Sequence, residues 1–205
     1  MTPRLIAIVP AAGLSRRMGQ PKLLLDLAGQ TVIARVVQAL RAAAIERCLV
    51  VVRPDDVELA REVVATGGEV VQPPTNPAEM RESVEYALRE VTRQSHSTGR
   101  PCDGWVLIPA DHPTLNSELV RDLIVVWSEN PSRIAVPTCN GRRGHPTIFP
   151  WSLTEEVYQL PSDQGLNSLL RSNPDRVLEM TVTDARILED LDTPEDWQRM
   201  RMEWE

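Results

Sequence analysis

Short runs of consecutive apolar residues, each closed by proline, glycine or polar residues, constrain this chain more than any other feature. Leu5-Ile6-Ala7-Ile8-Val9, Cys48-Leu49-Val50-Val51-Val52 and Trp105-Val106-Leu107-Ile108 show no alternation of apolar and polar residues. A strand covered on both faces reads this way, and such strands belong to parallel sheets flanked by helices. Helical spacing follows the first run at Ile33, Val36, Val37 and Leu40. A polar helix is expected over 55–65, and a helix over 83–91 with Val84, Leu88 and Val91 on one side. Glu69-Val70-Val71 predicts a short third strand, and 117–127 a further helix. Two strands at 134–136 and 147–149 flank Asn140-Gly141-Arg142-Arg143-Gly144, a hairpin-like insertion. A late strand is expected over 177–182, and a short one before Thr193. Thr193-Pro194-Glu195-Asp196 opens a last helix with Thr at the N-cap, Pro at the first helical position and acids in the first turn. Trp197, Met200 and Trp204 recur on it at helical spacing and read as core. Residues 94–103 are the one loop-like stretch of any length. The pattern predicts an α/β fold, a Rossmann-like three-layer sandwich with a mostly parallel sheet and one antiparallel hairpin insertion, in a single domain over 1–205.

Composition narrows the function classes. The chain has 205 residues, 42% apolar and 25% charged, which excludes a disordered chain, a collagen and a coiled-coil rod. The net charge of −7 disfavours a protein that coats nucleic acid. Eight Arg and Lys against Asp26 and Glu46 give residues 1–53 a balance of +6, so the remainder carries −13. Such a split suits a local anion site; uneven surface charge is the plainer account. Cys48, Cys102 and Cys139 form no CxxC pair, which argues against a zinc site or a disulfide framework. Neither a signal peptide nor an apolar run of membrane-spanning length is present, so a cytoplasmic, soluble protein without a membrane partner is expected.

In a parallel sheet, ligands bind beyond the C-terminal ends of the strands. The loops after Val9 and Ile108 and the segment before Thr193 are therefore expected to converge. The first of these, Pro10-Ala11-Ala12-Gly13-Leu14-Ser15-Arg16-Arg17-Met18-Gly19-Gln20-Pro21-Lys22, carries small residues whose N–H groups can form an anion nest. Arg16, Arg17 and Lys22 add three cations, as a polyphosphate requires. The loop contains neither GxGxxG nor GxxxxGK[ST], which disfavours a dinucleotide fold and a P-loop. Lys22 is the sole lysine against 21 arginines. A compact ammonium fits a tight pocket beside a phosphate where a planar guanidinium does not, although one lysine must sit somewhere. Asp111, just past an apolar strand, is the best metal ligand; an Asp before His-Pro also forms turns.

These residues resemble a family. AAGLSRRMGQPKLLL is similar to the AAGxSxRMGxxK signature of the molybdenum-cofactor nucleotidyltransferases, within the nucleoside-triphosphate transferases, and most of all to the molybdopterin cytidylyltransferase branch. Ala110-Asp111-His112-Pro113 stands at the Gly-Asp-x-Pro position, Arg143-Gly144-His145-Pro146 at Gly-His-Pro, and Asp190-Leu191-Asp192-Thr193-Pro194-Glu195-Asp196 at Asp-x-Asp-Thr-Pro-x-Asp. The resemblance implies a nucleotidyltransferase that moves a nucleoside monophosphate, CMP from CTP, to a phosphorylated acceptor, molybdopterin or its molybdenum form, and releases pyrophosphate. Ala11, Ala12 and Gly13 with Arg17 would hold the triphosphate, and Lys22 would stabilise charge at the α-phosphorus. Asp111 with Asp190, favoured over Asp192, would hold Mg²⁺. Ser83 would reach the base, and His145 would face the substrate. Helix-start chemistry at Ser83 and a hydrogen-bonded structural histidine at 145 are the plainer readings of those two. The segment Asn76-Pro77-Ala78-Glu79-Met80-Arg81-Glu82-Ser83 lacks the Gly found in related enzymes and is shorter. Asp163-Gln164-Gly165-Leu166-Asn167 precedes a Leu-rich helix, and this segment would close over the acceptor. GTP is the alternative donor, and a molybdoenzyme or its chaperone would receive the product. A sugar-phosphate acceptor, a non-catalytic nucleotide-binding module and a dehydrogenase are the competing readings.

Overall fold

The computed structural model describes residues 3–98 and 101–204. Strand β1 (Leu5–Pro10) is followed by a small hairpin, β2 (Asp26–Leu27) and β3 (Gln30–Thr31), and by helix α1 (Val32–Ala42). Then come β4 (Arg47–Val51), α2 (Val57–Ala65), β5 (Glu69–Val71), α3 (Met80–Thr98), β6 (Gly104–Leu107) and α4 (Ser117–Glu129). The second half holds β7 (Ile134–Cys139), β8 (Arg142–Arg143), β9 (Thr147–Pro150), α5 (Thr154–Tyr158), α6 (Asn167–Ser172), β10 (Val177–Thr181) and α7 (Pro194–Trp204). The main sheet runs β10-β7-β9-β6-β1-β4-β5, and β8 pairs with β7. Strands β4 and β6 lie parallel to β1 on its two sides, whereas β9 is antiparallel to both β6 and β7. The expected α/β sandwich with one antiparallel insertion is therefore what forms, with the inserted strand β9 inside the sheet between β7 and β6.

The uninterrupted apolar runs explain the two cores. In β1, Leu5, Ala7 and Val9 face one side, where they pack with residues of α1, α2, α4 and α7 such as Val36, Leu59, Leu123 and Met200. Ile6 and Ile8 face the other, against Val84 and Leu88 of α3, Val157 of α5 and Leu169 of α6. Trp105 stacks on Phe149 at 4.3 Å between ring centres and fixes β9 on that second face. Helix starts follow local chemistry: Thr31, Asp56 and Asn116 side chains each accept a backbone N–H in the first turn of α1, α2 and α4.

Three expectations differ. The helix expected over 83–91 extends from Met80 to Thr98, so the front of the 94–103 stretch is helical; residues 99 and 100 lie outside the described residues. Past Val91 the sequence is polar and lacks the apolar periodicity that marks the rest. No strand precedes Thr193: Ala185–Leu188 is a 3-10 turn and the chain to Thr193 is irregular, held by side contacts rather than by a ladder. The 163–167 segment does not line the cleft described below: Leu166 is buried in the second core and its neighbours in the segment are exposed. Among the described residues, no helix is long and apolar enough to cross a membrane.

The chain moves outward from β1 to β4 and β5, then returns to the opposite side of β1 with β6. Beyond β1 and β6 the strand order reverses, and a crevice opens where the two following loops diverge.

Candidate active site

A cleft of about 530 Å³ lies at that reversal. Its floor is the loop after β1. Ala11 N–H donates to the Val51 carbonyl and Ala110 N–H to that of Pro10, which tie the loop's entry to both neighbouring strands. Met18 and Leu23 plug into the core on either side of the loop's far end. Ser15 sits in the left-handed region at φ 49°, and its carbonyl accepts the N–H groups of Met18 and Gly19. Among the described residues, no hydrogen bond takes up the N–H groups of residues 12–17. Such a run of free donors at the end of a parallel strand can accept an anion. Ala11, Ala12, Gly13, Arg17 and Lys22 all line the cleft, and so does Ser83.

Lys22 opens a short 3-10 turn whose next residue, Leu23, is buried. Anchoring of Leu23 turns the ammonium into the cleft. Its Nζ donates to Asp111 Oδ2 at 2.7 Å and to Asp192 Oδ1 at 2.9 Å. Arg17 reaches the other Asp192 oxygen at 2.5 Å from a largely exposed position. Burial lowers the Lys22 pKa, but the two carboxylates outweigh it and hold the ammonium above the ordinary lysine value. Burial likewise opposes ionisation of Asp192, and hydrogen bonds and charge from Lys22 and Arg17 overcome it and hold the carboxyl below its usual range.

The sequence placed the metal pair at Asp111 and Asp190. The structure brings Asp192, not Asp190, to Asp111. Asp190 is exposed and does not line the cleft, and it acts on the site only as a charge near His112. The reason is the loss of the expected strand. Leu191 N–H donates to the Asp111 carbonyl at 2.8 Å, and Asp192 N–H donates to Asp196, so the chain turns Asp192 inward just before α7. His145 is also not in the cleft. It sits behind Asp111, edge-on to His112 at 4.9 Å, and Ile187 and Arg186 share its small cavity. Burial and the neighbouring His112 push its pKa down to about 3. Pro77, Ala78, Glu79 and Met80 form the wall beside Ser83. They belong to the Asn76–Ser83 segment singled out in the sequence, and the structure brings that segment to the cleft.

Asp111 Oδ1 is buried without a hydrogen-bond partner, although Oδ2 takes Lys22. An ionised oxygen left this way is costly unless a cation satisfies it. Among the described residues there is no cluster of three or more His, Cys, Asp or Glu able to hold a metal. A pair of carboxylates fits Mg²⁺, which binds through one or two carboxylates together with phosphate oxygens and water.

The chain is 29% identical to the purine catabolism protein PucB of Bacillus subtilis, covering 98% of this chain and 97% of that protein. It is 26% identical to a probable molybdenum cofactor guanylyltransferase of Rhodopirellula baltica (95% and 90% covered) and 27% identical to the molybdenum cofactor cytidylyltransferase of Escherichia coli (93% and 92%). The crystal structure of Rv0371c from Mycobacterium tuberculosis superposes with a TM-score of 0.82 at 26% identity, covering 97% of this chain and 98% of that one. Residues 7–177 match the family described as the MobA-like NTP transferase domain, a span that holds the loop of residues 12–17, Lys22 and Asp111, and the chain belongs to that family.

Proposed function

We propose that the protein transfers CMP from CTP to the phosphate of a molybdopterin-type acceptor in the cytoplasm and releases pyrophosphate. The observation that carries this reading is the convergence, in one cleft, of an unsatisfied N–H cradle with the Asp111–Lys22–Asp192 constellation. The cradle of residues 12–17 and Arg17 take the triphosphate, whose charge they match. An acceptor phosphate oxygen attacks the α-phosphorus in line; the new O–P bond forms as the bond to the β-phosphate oxygen breaks, and pyrophosphate leaves with the electron pair. A phosphate monoester is already anionic, so the residues need only position the reactants and neutralise charge.

Asp111 and Asp192 would hold Mg²⁺, which supplies positive charge to the triphosphate when bound. Lys22 then gives up its carboxylate partners and turns its three donors to the phosphoryl oxygens. Ser83 and the wall at 77–80 face the nucleobase. A molybdoenzyme or its chaperone receives the product.

The preference for CTP over GTP rests on the Ala11-Ala12-Gly13 form of the cradle and on the family resemblance of that loop. A few base contacts give discrimination of about 1–3 kcal/mol, roughly ten- to 200-fold. Pyrophosphate release is measured with each triphosphate and purified molybdopterin. The expected result is a higher kcat/KM for CTP; equal values or a preference for GTP refute the donor assignment. Turnover with a sugar phosphate but not with molybdopterin refutes the acceptor.

A further inference from the structure

The Gly144-His145-Pro146 segment touches no part of the cleft, yet it is packed with unusual closeness against the chain that carries Asp192. Gly144 N–H donates to the Pro137 carbonyl at 2.9 Å, and His145 N–H to the Ile187 carbonyl at 3.0 Å. A Cβ built on Gly144 would lie 2.4 Å from the Ile187 carbonyl oxygen, so only glycine allows this approach. Four residues further on, Leu191 N–H donates to the Asp111 carbonyl. From the other direction, the buried His112 ring engages the Glu189 carbonyl and meets the His145 ring at 4.9 Å. The contacts therefore close a circuit: residues 111–112, then 189–191, then 187, then 144–145, and back to 112. Its two outputs are the carboxylates of Asp111 and Asp192. Among the described residues, Lys22 and Arg17 reach them from the cleft side, and His112 Nε2 lies 3.9 Å from Asp111 Oδ1.

We propose that His112 and His145, with Gly144, form a rear clamp that sets the separation of the Asp111 and Asp192 carboxylates. Both histidines are positioning residues, because neither touches the cleft's contents. The proposal rests on the reading in which the two carboxylates share a divalent cation. The clamp works by shape and hydrogen bonding, through the close approach of Gly144 to Ile187 and the edge-on packing of the two rings. Groups that orient a metal ligand without binding the metal typically change affinity 10–100-fold when removed.

The test uses Mn²⁺ as the cation, read by electron paramagnetic resonance with a non-hydrolysable CTP analogue present. Binding of the analogue without metal is measured in parallel. His112→Leu fills the space and removes the contact to Glu189; His112→Gln keeps a donor there. Gly144→Ala must move the Ile187 oxygen by about 1 Å to reach ordinary contact, and it lies on no ligand. Expected results are a 10–100-fold loss of Mn²⁺ affinity in His112→Leu, partial recovery in His112→Gln, and a clear loss in Gly144→Ala. Metal-free analogue binding, which reads the 12–17 cradle, stays unchanged in all three. Thermal melts confirm folding; if His112→Leu does not fold, His112→Gln and Gly144→Ala decide. Wild-type Mn²⁺ affinity in the folded variants overturns the clamp and leaves the metal pair standing. Unchanged Mn²⁺ affinity with a raised acceptor KM overturns it in favour of a substrate contact. Absence of Mn²⁺ binding by the unmodified protein overturns the metal pair and the clamp together.

Discussion

Replacing Lys22 with methionine keeps most of the side chain's length and removes its charge. In the structure the ammonium stands between two carboxylates, at 2.7 Å from Asp111 and 2.9 Å from Asp192. A divalent cation entering without nucleotide must displace it. Each hydrogen bond to a charged group is worth about 1.5–3 kcal/mol, and both carboxylates are only partly exposed, so solvent screens them incompletely. Taking the low end for both bonds gives about 3 kcal/mol, which at 1.4 kcal/mol per tenfold is on the order of 100-fold. Lys22→Met is therefore expected to bind Mn²⁺ 10–100-fold more tightly than the unmodified protein when no nucleotide is present. Turnover should move the other way. Losing one preorganised charge-stabilising donor costs about 10²–10³ in kcat. Lys22→Arg separates charge from shape: the wider guanidinium, misplaced by about 1 Å, should still cost on the order of 10²-fold. Mn²⁺ titration and steady-state kinetics on both variants check this. Weaker metal binding in Lys22→Met refutes the exchange of lysine for metal, and wild-type kcat in Lys22→Arg refutes a specific phosphate contact.

Two further outcomes follow from the same geometry. Asp192→Asn should lose kcat by at least 10²-fold while Asp190→Asn stays within a few-fold of the unmodified protein, since Asp190 is exposed and outside the cleft; the reverse order, in a kinetic comparison of the two, removes Asp192 from the site. His145, depressed to about 3 by burial and by His112, with Asp111 opposing, stays neutral in the fold while it protonates in the unfolded chain near pH 6.5. The unfolded state then binds the extra proton between those values, so stability falls as pH drops from about 6.5 towards 3, by at most about 1.4 kcal/mol per pH unit. Denaturant unfolding across that range should show a shallower acid slope in His145→Leu, and an identical slope would place the proton elsewhere.

Much of the sheet was legible because its strands announce themselves by composition. Leu5 to Val9 and Cys48 to Val52 have no polar side, and only a layer of helices on each face can bury them. The loop that floors the cleft was also visible in outline, as small residues and cations directly after such a strand. The placement of β9 inside the sheet was not legible. Thr147 to Pro150 is too short to show a period, and what seats it between β6 and β7 is the stack of Phe149 on Trp105, a contact 44 residues apart. The full length of α3 was hidden for a different reason. After Val91 the sequence turns polar, so its hydrophobic period stops before the helix does.

Asp190 and Asp192 could not be separated by spacing, because residues two apart share a face only on an extended chain. What separates them is the helix that follows. Thr193 and Asp196 cap each other reciprocally: Asp196 N–H donates to Thr193 Oγ1 at 3.2 Å, and Asp196 Oδ2 accepts from Thr193 N–H at 2.9 Å and from its hydroxyl at 2.8 Å. The same Asp196 oxygen takes the Asp192 N–H, so the cap fixes the backbone of the residue before it as firmly as it fixes the helix. With Leu191 buried and its N–H bound to the Asp111 carbonyl, only one of the two acids can point at Lys22, and it is the one adjoining the cap. Asp190, on the far side of Leu191, is left in solvent. The helix-start pattern at 193–196 thus positions the carboxylate that Lys22 meets as well as opening α7.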